Sequence, residues 1–257
     1  TAHRLLYERQ DKSVGPALEQ LAAQSRSPQA RVHALWSLQG LQALPERVIA
    51  SGLSDPHPGV RENAVRLAES RLEVSAELRE KILALVGDPE PRVRLQVAFT
   101  IGESRQWDQA ALLARLAREN LDDPWIQSAV LSSAAECGGD LFAALAVDAR
   151  LPATAKSADF LRQLVVVIGA QNRAADVTRA IETLAGFKDS ALAFPLVGAL
   201  GEGLKRAGTS LGARDQGGRI KALLRRAPQL AADATQPEPL RRAAIGSLGL
   251  VSYAEAA

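Results

Sequence analysis

The chain has 257 residues, with 31 Lys and Arg against 29 Asp and Glu, for a net charge of +2. So small an excess argues against a polyanion-binding role for the chain as a whole. Cys137 is the only cysteine, which excludes an intrachain disulfide and a cysteine-based zinc set. Aromatic residues make up only 4% of the chain. Small and straight-chain apolar residues suit closely packed helices and β-branched or aromatic ones suit sheets, so an all-α class is expected. The longest strongly apolar run, Leu164 to Gly169, is far short of a membrane span, and no signal-peptide pattern is present. A soluble segment with no membrane insertion is expected. The chain opens at Thr1 and has no Met, which suggests a piece of something longer.

In chain order, the apolar spacing predicts helices near 1–10, 14–25, 28–43 and 45–54, then 58–73, 76–87, 91–104 and 107–120. Further helices are expected near 124–137, 140–149, 155–171, 174–186, 189–209, 216–232 and 237–252. Val60, Ala64, Leu67 and Ala68 fall on one stripe, as do Val93, Val97, Ala98 and Ile101 in the later unit. Val60, Ala64, Val93, Val97 and Ile126 are therefore expected to be buried between units. Asp55-Pro56-His57-Pro58-Gly59-Val60-Arg61 recurs as Asp88-Pro89-Glu90-Pro91-Arg92-Val93-Arg94, 33 residues later, and Asp123-Pro124 extends the series. A fixed period of this length marks stacked helical hairpins. Asp accepts from amides at a helix start, Pro suits the first helical position, and the residue before Pro resists helix. Ile101-Gly102-Glu103 returns as Leu200-Gly201-Glu202, 99 residues on, which is three periods.

The recurring core, Pro58-Gly59-Val60-Arg61-Glu62-Asn63-Ala64, resembles the HEAT repeat. That resemblance implies a right-handed α-solenoid of about seven HEAT-like helical hairpins. It would form a single domain over 1–257, regular across 27–141 and degenerate across 142–257, with an insertion near 203–218. We expect a helix extension there, followed by a loop at 212–218. Thr1 to Arg9, Arg31 to Leu41 and Ser54 to Ala64 also resemble the middle region of planctomycete-type, membrane-bound-dehydrogenase-like proteins. Those proteins join a sugar-dehydrogenase-like β-propeller, a HEAT segment and a haem-c domain with a Cys-x-x-Cys-His motif. The resemblance implies a bacterial, extracytoplasmic parent and a non-catalytic scaffold segment. It supplies no active-site residue, because neither the propeller nor the haem motif is in this sequence.

No catalytic, cofactor-binding or metal-ligating set is expected. His3, His33 and His57 are scattered over different units, and no paired metal spacing exists. Cys137 lacks a basic or helix-start context and reads as core. Arg61 and Arg94 are expected to run along the stack and pair with Asp in adjacent repeats. Trp36, Trp107 and Trp125 are expected to pack in the core or between repeats. Asp122-Asp123 and Glu62/Glu69 are expected as caps and solvated faces. Gly212 to Arg219 weakly resembles a phosphate loop but lacks its Gly-Lys-Ser/Thr ending.

The open case is basic. Residues 203–242 hold nine Lys/Arg against three Asp/Glu, leaving the rest of the chain at −4. Arg219, Lys221, Arg225 and Arg226 share one predicted helix, with Arg241 and Arg242 on the next. A solvated face explains them without function. A surface for an acidic protein partner or a neighbouring domain of the parent chain is the functional expectation. Nucleic acid is disfavoured, since backbone binding needs a broader basic surface. Two rivals remain. One is a nucleic-acid-binding or DNA glycosylase-like HEAT protein, which needs Trp and Asp converging in a basic groove. The other is a chromophore-lyase-like HEAT enzyme, which needs clustered polar groups. At the far end, Leu248, Leu250 and Val251 are expected against the previous hairpin, leaving some apolar area open.

Overall fold

The computed structural model describes residues 2–151, 153–187 and 190–249, with side chains from Arg4 onward. The described residues are helical with no β-strand, so the class is all-α. Two compact units form, Thr1–Asp108 and Gln109–Ala257.

The first unit runs α1 (Ala2–Arg9), α2 (Gly15–Gln24), α3 (Pro28–Gly40), α4 (Glu46–Leu53), α5 (Pro58–Ala68), α6 (Ala76–Ala84) and α7 (Pro91–Ile101). Alternate helices pack on one another. α3 lies on α5 and α5 on α7, while α2 lies on α4 and α4 on α6. Between these two rows sit Leu35, Leu38, Ile49, Val60, Ala64, Leu78, Ile82, Val93 and Val97, all at most 1% exposed. This is the arrangement the apolar stripes demand, because each amphipathic helix can hide its face only against its neighbours. Burying each large aliphatic side chain is worth roughly 1.5–3 kcal/mol.

The recurring Asp-Pro-x-Pro segment starts its helix two residues later than the first proline suggests. Pro58 and Pro91 are the first helical residues, and His57 and Glu90 hold the cap positions. Asp55 and Asp88 instead bend the approach. Asp55 Oδ1 accepts from the His57 amide at 2.8 Å, and Asp88 Oδ1 accepts from the Glu90 amide at 2.9 Å. In the one-proline version, Asp123 is the cap itself, accepting from the amides of Trp125 and Ile126.

The same aspartates receive an arginine from the preceding repeat. Arg61 grips Asp88 through two parallel bonds of 2.8 Å each, and Arg31 grips Asp55 at 2.8 and 2.7 Å. Each arginine also donates to the carbonyl six residues before it: Arg31 to Ser25, Arg61 to Asp55 and Arg94 to Asp88. Planar guanidinium suits this two-sided role. The side chains of Arg61 and Asp88 are 13% and 3% exposed. Burial alone would push the Asp88 carboxyl up, but the bonds from Arg61 and the Glu90 amide outweigh it and hold it below the usual range.

The second unit runs α8 (Gln109–Glu119), α9 (Pro124–Ser133), α10 (Gly138–Ala146), α11 (Ala155–Gln171), α12 (Ala174–Ala185), α13 (Ser190–Arg206), α14 (Leu211–Arg214), α15 (Arg219–Leu224), α16 (Ala227–Ala232) and α17 (Glu238–Leu248). Alternate packing continues. One row is α9, α11, α13 and α17; the other is α8, α10, α12 and α15. Ile126 is fully buried here, as its stripe predicts. An Arg–Asp pair also links α8 to the residues just after α10, Arg118 to Asp148 at 2.6 Å through a single bond.

A different contact joins α11 to α13. A Cβ built on Gly203 would lie 2.3 Å from the Val166 carbonyl oxygen, and one on Gly169 would lie 2.6 Å from that of Leu200. The two backbones touch, and only glycine permits it.

Three sequence expectations need correction. Trp125 is 74% exposed, not packed. It follows Pro124 in the first turn, where the helical phase that buries Ile126 turns its neighbour outward. α13 stops at Arg206 because Gly208 takes φ +74, and residues 211–214 of the expected loop and extension form the short α14, capped by Ser210. The expected helix 216–232 is broken into α15 and α16. Pro228 has no N–H to donate to the carbonyl four residues back, so the helix cannot run through.

Candidate interaction surface

The basic segment is built around Asp215. Its Oδ1 accepts from the Arg219 amide at 2.8 Å and its Oδ2 from the Lys221 amide at 2.9 Å, while Gly218 turns the chain at φ +63. An anion would seek these same amides, so the chain's own carboxylate fills the position of a bound phosphate. The phosphate-loop resemblance of Gly212 to Arg219 is thereby explained by an internal turn.

α15 buries Ile220, Leu223 and Leu224 and rests on α12. That orientation leaves its polar side in solvent, and the six predicted residues meet different fates there. Arg219 reaches Glu182 on α12 at 2.6 Å. Arg242 pairs with Glu238 one turn back on α17. Arg241 donates from Nε to the Ala231 carbonyl at 3.2 Å, tying α17 to α16. Lys221 is exposed on α15. Arg225 and Arg226 are exposed at the α15–α16 break, and neither has an acidic partner among the described residues. Lys205, at the end of α13, is exposed in the same way. The uncompensated positive charge therefore gathers at Arg225 and Arg226, where the carbonyl end of α15 also favours cations.

The first unit carries a second polar feature that sequence inspection missed. Trp36 on α3 donates from Nε1 to Asn63 on α5 at 2.8 Å, with the Arg66 guanidinium 5.8 Å from the ring centre. One period later, Glu69 accepts from Gln96 at 3.0 Å and from Thr100 at 2.7 Å. Glu69 is thus half-buried, where a solvated face was expected. Its burial, helped by Glu103, pushes the carboxyl up despite the two donors. The signal was present in the numbering. Trp36 to Asn63, Arg61 to Asp88 and Glu69 to Gln96 all span 27 residues, which is the step from one repeat to the facing side of the next.

The remaining candidates behave as structure. Cys137 is 8% exposed and lies in the core. Trp107 donates to the Ile101 carbonyl at 3.0 Å. His57 accepts the Gly59 amide through Nδ1 at 3.1 Å. Asp122 pairs with Lys156 and Glu62 with Arg92. Leu248 is partly exposed, while Leu250 and Val251 lie outside the described residues. Among the described residues, no group of three or more His, Cys, Asp or Glu is placed to hold a metal ion, and no helix is long and apolar enough to cross a membrane. Compared with known proteins, the chain matches no protein-family model and no curated protein.

Proposed function

We propose that this chain is a non-catalytic interaction and spacing module. In this view it is a right-handed α-solenoid of about seven HEAT-like hairpins within a larger secreted bacterial dehydrogenase-like haem-c protein. Its alternating helix rows and its Arg–Asp contacts at a repeat-to-repeat step support the solenoid. The resemblance of Pro58 to Ala64 to the HEAT core supports the family, and the resemblance of Thr1 to Arg9 supports the parent. The carrying observation for a docking role is Arg225-Arg226. These residues are exposed and unpaired, whereas Arg219, Arg242 and Arg241 are already committed to Glu182, Glu238 and a backbone carbonyl.

An acidic neighbouring domain would dock there, with charge setting approach and orientation more than final affinity. The test titrates the parent's downstream haem-c domain against this chain, with and without Arg225→Glu and Arg226→Glu. Affinity is expected to fall about tenfold or more in the double variant and to weaken with added salt. Equal affinity for both proteins would overturn the docking role.

A further inference from the structure

Four helices begin with a proline, and the residue before that proline holds the cap position in each: Ser27, His57, Glu90 and Asp123. Ser27 accepts from the Ala30 amide at 3.3 Å, and Asp123 accepts from the amides of Trp125 and Ile126. Glu90 makes no side-chain bond to its helix. His57 accepts from the Gly59 amide through Nδ1 at 3.1 Å. Of these four side-chain types, histidine is the one that ordinarily changes charge between pH 5 and 8. The bond itself fixes the neutral ring, because Nδ1 must offer a lone pair and Nε2 must hold the proton. A proton added at Nδ1 turns this acceptor into a donor that faces the Gly59 N–H. The ring sits close over the first turn, since a Cβ on Gly59 would lie 3.2 Å from Nδ1. An imidazolium there also meets the positive end of the α5 dipole. The charges around this helix start are largely spoken for. Arg31 of α3 holds Asp55, Arg61 holds Asp88, and Arg92 of α7 holds Glu62. Lys81 of α6 reaches Ser54 at 3.5 Å, and the charge of Glu90 acts on Arg61. Asp55, the acid nearest in sequence, already takes the Arg31 fork and the His57 amide.

We infer that His57 is a proton-sensitive latch on α5, closing its first turn when the ring is neutral and releasing it when the ring takes a second proton. α5 is flanked by α3 and α7 in its row. It carries Asn63, which accepts from Trp36 of α3, and Arg61, which grips Asp88 before α7. A frayed start on α5 therefore loosens the junctions on both sides. The sign follows from the bond: its contribution is present while the ring is neutral and is lost as pH falls. The latch is independent of the docking role proposed above.

The experiment melts the full chain, His57→Asn and His57→Ala at about pH 7.5 and about pH 5.5, a range that histidine spans. Asn caps a helix without titrating, and Ala does not cap it. At the higher pH the unmodified chain and the Asn variant are expected to melt together, with the Ala variant lower by about 2–4 °C. At the lower pH the unmodified chain is expected to fall to the level of the Ala variant while the Asn variant keeps its lead. His3 and His33 are present in all three proteins, so the gaps between them isolate His57. A local reading accompanies the melts. Exchange of the Gly59 amide, normalised to its intrinsic rate, should lose about fivefold protection over this interval in the unmodified chain and none in the Asn variant. Three results would overturn the latch: equal melting of the unmodified chain and the Ala variant at the higher pH, the same gap between them at both pH values, or a gain of the unmodified chain over the Asn variant in acid. If the Ala variant does not fold, the Asn comparison and the Gly59 exchange decide by themselves.

Discussion

The two units solve one problem in different ways. In residues 1–108, neighbouring repeats are registered by polar contacts that recur, Arg31 with Asp55 and Arg61 with Asp88. In the 155–206 segment, registration is by backbone contact, Gly169 against Gly203. A buried ion pair tolerates variation in the surrounding apolar volume but not the loss of one partner, since a lone buried charge is expensive. A glycine contact tolerates loss of charge but not one added methyl group. Each region should therefore fail under the substitution the other withstands.

The sharpest way to break the first region is Asp88→Ala. It strands Arg61 at 13% exposure and removes the acceptor of the Glu90 amide. The expected loss is about 3–5 kcal/mol, measured by urea unfolding. Because the Asp88 carboxyl is held below its unfolded value, its contribution is present above about pH 4 and is lost as pH falls through the folded value. The gap between the unmodified protein and the variant should thus narrow in acid. The matching break in the second region is Gly203→Ala, at about 3 kcal/mol, because the methyl group must push α11 from α13. Its cost should not change across the same pH range. If Gly203→Ala melts like the parent, the close approach of these helices is wrong.

Val97→Ala tests the apolar core of the first unit. Loss of two methyl groups from a fully buried site should cost about 1–2 kcal/mol by urea midpoint. The smallest effect is expected at Glu69. Its folded pKa is raised, so the ionised form weakens the fold at neutral pH and the penalty fades as pH falls through that value towards 4.5. Glu69→Gln should raise the melting point slightly at pH 7 and leave it unchanged near pH 4. A lower melting point at pH 7 would mean that the bonds from Thr100 and Gln96 outweigh the burial.

Periodicity carried the helices and their buried stripes. Val60, Val93 and Ile126 needed only a count of spacing, because burial follows from helical phase. The kind of partner an arginine takes was also legible, an Asp of the adjacent repeat, although the step varies, 24 residues from Arg31 to Asp55 and 27 from Arg61 to Asp88. Gly203 was not. The sequence pattern pointed to Gly201, which matches Gly102 after three periods, but Gly201 is not the residue that meets Gly169. A close approach between backbones depends on where two helices cross, and a period in sequence does not encode that. Trp125 failed for a related reason. Composition suggests that a tryptophan is inside, whereas its position beside Pro124 in the first turn puts it outside. The break at Arg225-Arg226 was legible in principle, because Pro228 stood in the expected helix all along.

The carboxylate of Asp88 has one further consequence. One oxygen shapes the start of its own helix while both oxygens hold the arginine of the repeat before it. A block of 33 residues therefore contains one plug and one socket, and copying the block copies both. A chain joined this way can lengthen by duplication in frame, with each new junction made from parts already tested by the last. The Gly169–Gly203 contact is of another kind: its two halves are alike, each glycine facing the carbonyl oxygen three residues before the other, so it rests on how closely two helices cross and not on a complementary pair carried within one block. Growth by duplication is open to residues 27–104.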